Sequence, residues 1–213
     1  MNLFTGASHL PIIEYLDELC IILFGESKYE IYMDSGGHAE INETPIDTAS
    51  REGREESLNT FNINNNNIAT YVNYYDIDNL IFYKGYYAFF NKYNINIDQI
   101  FNIYNHNKNI IYSNNNVPDC WKESKYINIF SISSLINGIK NNLDYFKCMD
   151  IFSNLKYVHK RPIKYVINAI QKKIFKKINN KWITDKLQTK NVIITKNLNN
   201  EFNFLNNTYS ISV

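Results

Sequence analysis

Apolar and polar positions repeat with different periods along the chain, and each change of period marks an element. Cys20-Ile21-Ile22-Leu23-Phe24 is an unbroken apolar run before a turn around Gly25 and Ser27, which predicts a buried strand. Residues 28–33 alternate as a returning strand, so the pair makes a hairpin ending at Asp34-Ser35-Gly36-Gly37. The glycine pair there lets backbone come close to a ligand. Upstream, residues 9–18 are expected to form a short helix. Thr44 as N-cap, Pro45 at the first helical position and Asp47 three residues after the cap open a further helix that runs to about Ser57.

Beyond that helix, Ile63 and residues 71–75 and 83–90 read as strands, residues 64–67 as a loop, and Lys84-Gly85 as a bulge or close approach. Residues 127–132 alternate as a strand. Residues 133–139 and 163–178 have helical spacing, the latter preceded by Pro162. Strands and helices interleave without an internal repeat or a Gly/Ser-rich linker, which predicts a mixed α/β sandwich. Residues 1–150 are expected to form one domain, with residues 151–213 a basic helix and tail packed on it.

Charge changes this picture more than composition does. Residues 1–150 hold 10 Lys/Arg against 19 Asp/Glu, whereas residues 151–213 hold 12 against 2, so a formal net charge of +1 hides halves of −9 and +10. An acidic front half can hold cations, and a basic back half can approach phosphate. Cys20, Cys120 and Cys148 are odd in number and widely spaced, which argues against a disulfide framework or a zinc site. With no basic leader and no apolar run long enough to span a bilayer, an intracellular, reducing, cytoplasmic setting is expected. Heavy use of Asn, Ile, Lys and Tyr matches an AT-rich genome, and 15% aromatic residues argue against global disorder.

The candidate chemistry sits on the helix opened by Thr44. Glu52, Glu55 and Glu56 are spaced i, i+3 and i+4, so their carboxylates gather within one turn, while Ile46, Ala49, Ser50 and Gly53 form a small, mostly uncharged face. Clustered glutamates are commonly a solvated face. Their surroundings alter that balance: Gly37 is followed by Glu43, then by Arg51-Glu52-Gly53-Arg54-Glu55-Glu56. This resembles the signature of the Nudix hydrolase family: Gly, five residues, Glu, seven residues, Arg-Glu, an aliphatic, any residue, Glu-Glu, any residue, Gly, aliphatic. Six fixed identities at fixed spacing arise in a random chain of this length with a probability on the order of 10⁻⁵ or less. Gly53, Leu58 and Asn59 depart from the pattern, at packing and helix-exit positions.

The resemblance implies a Nudix-type α/β/α sandwich with a mixed sheet. It further implies cleavage of a phosphoanhydride bond in a nucleoside diphosphate linked to another group, by metal-assisted attack of water. Mg2+, with Mn2+ as the alternative, would be held by Glu52, Glu55, Glu56 and the Gly37 carbonyl; hard oxygen ligands suit such a cation. Glu43 and Arg51 would pair and brace the loop. Glu52 or Glu123 would take the proton from water, Asp98 and Asp119 competing with Glu123 as the downstream acid. A nucleotide or a capped RNA is the expected substrate. Cap hydrolysis is favoured because it fits the basic back half and resembles what large DNA viruses encode. Dinucleoside polyphosphates, sugar nucleotides and oxidised nucleotides fit the signature as well. A dimer is frequent in the family, and no membrane is implied.

Other signals weigh less. His38 reads as a local hydrogen-bonding residue, and His9, His106 and His159 form no ligand pair. Lys172, Lys173, Lys176 and Lys177, with Phe175 and Trp182 nearby, would suit RNA phosphates and bases; a solvated amphipathic helix docked through Val166, Ile167, Ile170 and Ile174 is the plainer account. Tyr83, Tyr86 and Tyr87 are expected in the core. The competing functional class is a non-catalytic RNA- or protein-binding module of the same fold.

Overall fold

A computed structural model describes residues 3–26, 30–61, 63, 71–77, 84–138 and 144–191. The chain opens with β1 (Leu3–Tyr15), β2 (Glu18–Glu26), β3 (Ile31–Met33) and β4 (Ser35–His38), followed by α1 (Pro45–Glu56). Next come β5 (Tyr71–Ile77), β6 (Lys84–Asn94), α2 (Ile97–Ser113), β7 (Ser124–Ser131) and α3 (Ile132–Asn137). Last are β8 (Tyr145–Met149), β9 (Leu155–His159), α4 (Lys160–Gln171), β10 (Lys176–Ile178), β11 (Lys181–Ile183) and β12 (Thr189–Asn191).

Ten of the described strands form one sheet in the order β12-β6-β1-β2-β3-β9-β8, with β4 on β1, β5 on β6 and β7 on β2; β10 and β11 make a separate hairpin. The sheet is mixed. β1 and β12 run parallel to β6, and β3 parallel to β9, while β2 is antiparallel to β1, β3 and β7. Successive residues of β2 face opposite sides. Ile22 and Phe24 join one core with Ala49 of α1 and Ile100 and Tyr104 of α2; Ile21 and Leu23 join a second with Leu135 of α3 and Val166 of α4. Helices therefore cover both faces, and the layered α/β/α sandwich expected from the sequence is the architecture found.

Double coverage also accounts for one correction. Residues 9–15 belong to β1, not to a helix, and the chain turns at Leu16 and Asp17 (φ 51° and 61°) into β2. Residues 6–13 are all buried because they lie between two helical layers, so the segment lacks the two-residue alternation that identifies a half-covered strand. The expected irregularity at Lys84-Gly85 falls on the partner strand: β1 shifts register between Phe4 and Gly6 where it pairs with Gly85 and Tyr86.

The C-terminal helix is shorter than its spacing predicts. α4 ends at Gln171, Lys173 has φ 57°, and Lys176 and Lys177 lie on β10 rather than on a continued helix. Ile174 and Phe175 are fully buried, so burial of the turn, not helical periodicity, placed apolar residues there. Val166 and Ile174 do dock on the core, with Ile167 and Ile170 partly buried beside them. Residues 192–213, 64–67 and Tyr83 lie outside the described residues, as does any strand around Ile63 beyond that residue itself. No helix among the described residues is long and apolar enough to cross a membrane.

Candidate active site

Three elements meet at the site: β4, its partner β1, and α1 across them. Ser8 of β1 lies opposite Gly36 and Ala7 opposite Gly37. A Cβ on Gly36 would overlap the Ser8 hydroxyl, so this strand pair requires glycine for close approach although its φ is ordinary. Thr44 caps α1: the Asp47 N–H donates to its Oγ1 at 3.3 Å, and the Thr44 N–H donates to Asp47 Oδ2 at 2.8 Å. α1 then rests on β1 through Gly53, whose missing Cβ would have stood 2.8 Å from Ile63 Cδ1 and 3.0 Å from His9 Cβ. A larger residue there would need the tip of Ile63 and the His9 side chain to give way.

The helix exit explains the second departure from the signature. Leu58 and Asn59 adopt φ 51° and 55°, the left-handed region in which glycine is at ease. Leu58 is nonetheless fully buried, its carbonyl accepts from Asn107 Nδ2 at 2.8 Å, and the Asn59 N–H reaches Arg54 O at 2.7 Å. Burial offsets the steric cost of a branched residue in that conformation.

Arg51 organises the acids. Its Nε and Nη2 donate to the two oxygens of Glu43 at 2.8 and 3.1 Å, and Nη2 also donates to the His38 carbonyl at 2.9 Å. Its Nη1 reaches Glu52 Oε1 at 2.7 Å and Glu55 Oε2 at 3.4 Å. Glu43 accepts in addition from the Thr48 hydroxyl and the Glu40 N–H at 2.7 and 2.9 Å. Burial pushes the Glu43 carboxyl up, but these donors outweigh it and hold the group below the usual carboxylate range. The expected Glu43–Arg51 brace is thus a two-pronged clamp tying the loop after β4 to α1.

Glu52, Glu56, Gly36, Gly37, His38, Tyr86, Glu123, Ser124 and Arg161 line a cleft of about 330 Å³, together with Phe24, Gly25 and Met33. Glu56 Oε2 accepts the Gly36 N–H at 3.2 Å, and the Glu52 carboxylate lies against Gly37. Burial, then repulsion from Glu52 and Asp34, drives the Glu56 carboxyl well up. Burial also raises Glu52 against the pull of Arg51, with Glu123 and Glu43 adding repulsion. Carboxyls that resist losing their protons together are short of positive charge.

The box residues are therefore gathered, but not equivalently. Glu52, Glu56 and Gly37 reach the cleft. Glu55 is buried behind them toward Arg51 and Cys120, with burial and Glu52 lifting its carboxyl to about 7. Glu123 caps the 3-10 turn Asp119–Lys122 and lines the cleft, whereas Asp98 is exposed in the first turn of α2 and Asp119 is exposed at the start of that 3-10 turn. Tyr86, expected in the core, is buried but forms part of the cleft wall; Tyr87 is half-buried.

Two participants escaped sequence reasoning. Asp34 is wholly buried, accepts the Ser8 hydroxyl, and pairs with Arg161 Nε at 2.8 Å. Arg161 reads in the sequence as one more cation of a basic helix, 127 residues from its partner. Lys172, Lys173 and Lys177 are exposed, and Lys176 pairs with Asp185 at 2.8 Å. None of the four lines the cleft.

No family model matches the chain, and no curated protein matches it. Among solved structures it is similar to the Ap4A hydrolase of C. elegans, with TM-score 0.32 and 16% identity over 43% of this chain and 68% of that one. It is similar to a MutT/nudix family protein from Enterococcus faecalis, with TM-score 0.41 and 11% identity over 80% of this chain and 63% of that one. A mutT/nudix family protein from Listeria innocua gives TM-score 0.40 and 13% identity, over 80% and 94% respectively. Scores of this size carry no argument about activity, so the chemistry of the cleft has to be read from its own residues.

Proposed function

We propose that the chain is a Nudix-type pyrophosphohydrolase that cleaves a phosphoanhydride bond in a nucleoside diphosphate linked to another group, with mRNA cap hydrolysis as the favoured case. One observation carries the reading: the six residues of the signature, spread over positions 37–56, close into a single unit in which Arg51 clamps Glu43 and Glu52, and Glu56 holds the backbone beside Gly37. A solvated glutamate face would have no reason to be tied to a distant glycine loop.

Among the described residues no three His, Cys, Asp or Glu side chains stand together as a ready-made metal site. The donor chemistry still fits a divalent cation, because Glu52 and Glu56 are hard oxygen donors on one wall whose mutual repulsion calls for positive charge. Glu52, Glu56 and the Gly37 carbonyl would hold Mg2+ or Mn2+, with Glu55 supporting through Arg51. When bound, the cation would neutralise charge on the phosphoryl oxygens. Glu52 or Glu123, which both border the cleft, would accept the proton of the attacking water. Arg51 keeps Glu52 oriented, and the Gly36 N–H does the same for Glu56.

Gly53, Leu58 and Asn59, the departures from the signature, are the positions that would suit a binding module that retains the fold without the activity. Gly53 and Leu58 serve helix packing and Leu58 and Asn59 the helix exit, leaving the acids in place, which favours the enzyme. The deciding experiment incubates wild type and Glu56→Gln with capped RNA, dinucleoside polyphosphates, ADP-ribose and nucleoside triphosphates, in Mg2+ or EDTA. Mg2+-dependent cleavage lost in the variant is expected. No turnover by folded wild type on any of them would overturn the proposal.

A further inference from the structure

Among the described residues that line the cleft, one is a cation, and it does not come from the signature. Arg161, the second residue of α4, spends Nε on Asp34 at 2.8 Å and Nη2 on the Gly36 carbonyl at 3.1 Å, and its guanidinium lies over the Tyr86 ring at 5.5 Å from the centroid. Nη1 has no protein acceptor among the described residues. Asp34 is 0% exposed while the Arg161 side chain keeps 26% of its surface, so the anion sits behind and the cation in front. The pair is a dipole whose positive end faces the cleft.

This geometry is costly for a merely structural tie. Two charges are taken from water, yet one edge of the guanidinium is left toward the space that Glu52, Glu56 and Glu123 also border. A guanidinium fixed on two sides, with a free N–H edge, matches the spacing of phosphate oxygens. Its tie to the Gly36 carbonyl anchors it on the residue whose N–H donates to Glu56 and that precedes Gly37, and all four residues line the cleft.

We infer that Arg161 is the phosphate-binding residue of this site, donating from Nη1 to a non-bridging oxygen of the substrate's diphosphate while Asp34 and Tyr86 hold it in place. The inference rests on the pyrophosphohydrolase reading. It also assigns the C-terminal segment a part in the site that its lysines do not have.

The test compares wild type, Arg161→Gln and Arg161→Lys, with Lys181→Ala as control, since Lys181 bonds Asp17 and does not line the cleft. Two quantities are measured: steady-state kinetics on the substrate that wild type cleaves, and the affinity for inorganic pyrophosphate in Mg2+ by calorimetry. Losing one charge-assisted contact should raise KM and the pyrophosphate Kd by about 10- to 100-fold in Arg161→Gln, with kcat changed less. Arg161→Lys should recover part of the affinity by restoring the charge, and Lys181→Ala should match wild type. Equal KM and Kd in wild type and Arg161→Gln would overturn the assignment while leaving the hydrolase reading intact. A loss confined to kcat, or one that tracks only a lower melting temperature, would reduce Arg161 to a structural tie. Wild type that neither turns over substrate nor binds pyrophosphate would sink both.

Discussion

Gly37 lies so close to the Glu52 carboxylate that a Cβ on it would overlap Oε1 and stand 2.6 Å from Cδ. The contact joins the first glycine of the signature to its central acid, and Glu52 cannot simply swing aside because Arg51 Nη1 holds Oε1 at 2.7 Å. Glycine is needed here for approach rather than for a positive φ, since none of the described glycines has one.

Gly37→Ala should therefore displace Glu52 by a fraction of an ångström or more without unfolding the chain. A misplacement on that scale at a reacting centre costs on the order of 10²-fold in rate. Turnover is expected to fall by about that factor while the melting temperature drops only a few degrees. Wild-type kcat in the variant would show that Glu52 is not in the machinery.

A pH dependence is expected from Glu55, whose carboxyl is lifted from 4.5 to about 7 by burial and then by Glu52, against the opposing pull of Arg51. Its folded-state value lies above its unfolded one, so the folded, metal-free protein keeps a proton that the unfolded chain has released. That contribution to stability is fully present below about pH 4.5 and is lost as pH rises through about 7. Glu52 and Glu56 shift the same way; Glu43 shifts oppositely, and its contribution is lost only as pH falls below that window. Melting temperature in EDTA should decline from pH 4.5 to 7.5, and Glu55→Gln should flatten part of the decline. An unchanged slope in the variant would contradict the burial argument.

Leu58 tests whether the missing signature glycine matters. Leu58→Gly would relieve a left-handed leucine, worth roughly 1–2 kcal/mol, and delete a fully buried side chain, which costs about 2–5 kcal/mol. The variant should be less stable by about 0–4 kcal/mol in urea unfolding, with activity per folded molecule retained. A stabilised variant would mean that strain, not packing, dominates the helix exit.

How much of this was legible depended on the range of the interaction. α1 and its Thr44 cap arise from residues within one turn of each other, and the sequence pattern located them; the Glu43–Arg51 clamp spans one loop, and the family resemblance implied it. α2 passed unnoticed because Asn102, Asn105, Asn107 and Asn109 dilute its helix propensity, although its buried residues Ile100, Tyr104, Asn107 and Ile111 keep helical spacing and Asn96 with Gln99 forms a capping box. The Asp34–Arg161 pair was illegible for a different reason. A buried ion pair leaves no periodic trace, and only the pairing of β3 with β9 brings α4 to the cleft.

That same topology separates the lysines from the chemistry. Lys181 of the β10–β11 hairpin bonds Asp17 in the turn before β2 at 2.9 Å, whereas Phe24 and Gly25 near the other end of β2 line the cleft. From Glu18 to Gly25 the strand rises by about 23 Å. Lys172 and Lys173 likewise close the end of α4 remote from Arg161, about 16 Å along its axis. Replacing Lys172, Lys173, Lys176 and Lys177 together with alanine should leave kcat/KM on a short nucleotide substrate within about twofold, because at these distances salt screens exposed charges almost fully. If these lysines hold the body of a long RNA, the same variant should weaken RNA affinity and flatten its salt dependence. A large loss on the short substrate would place the hairpin at the cleft and contradict the topology.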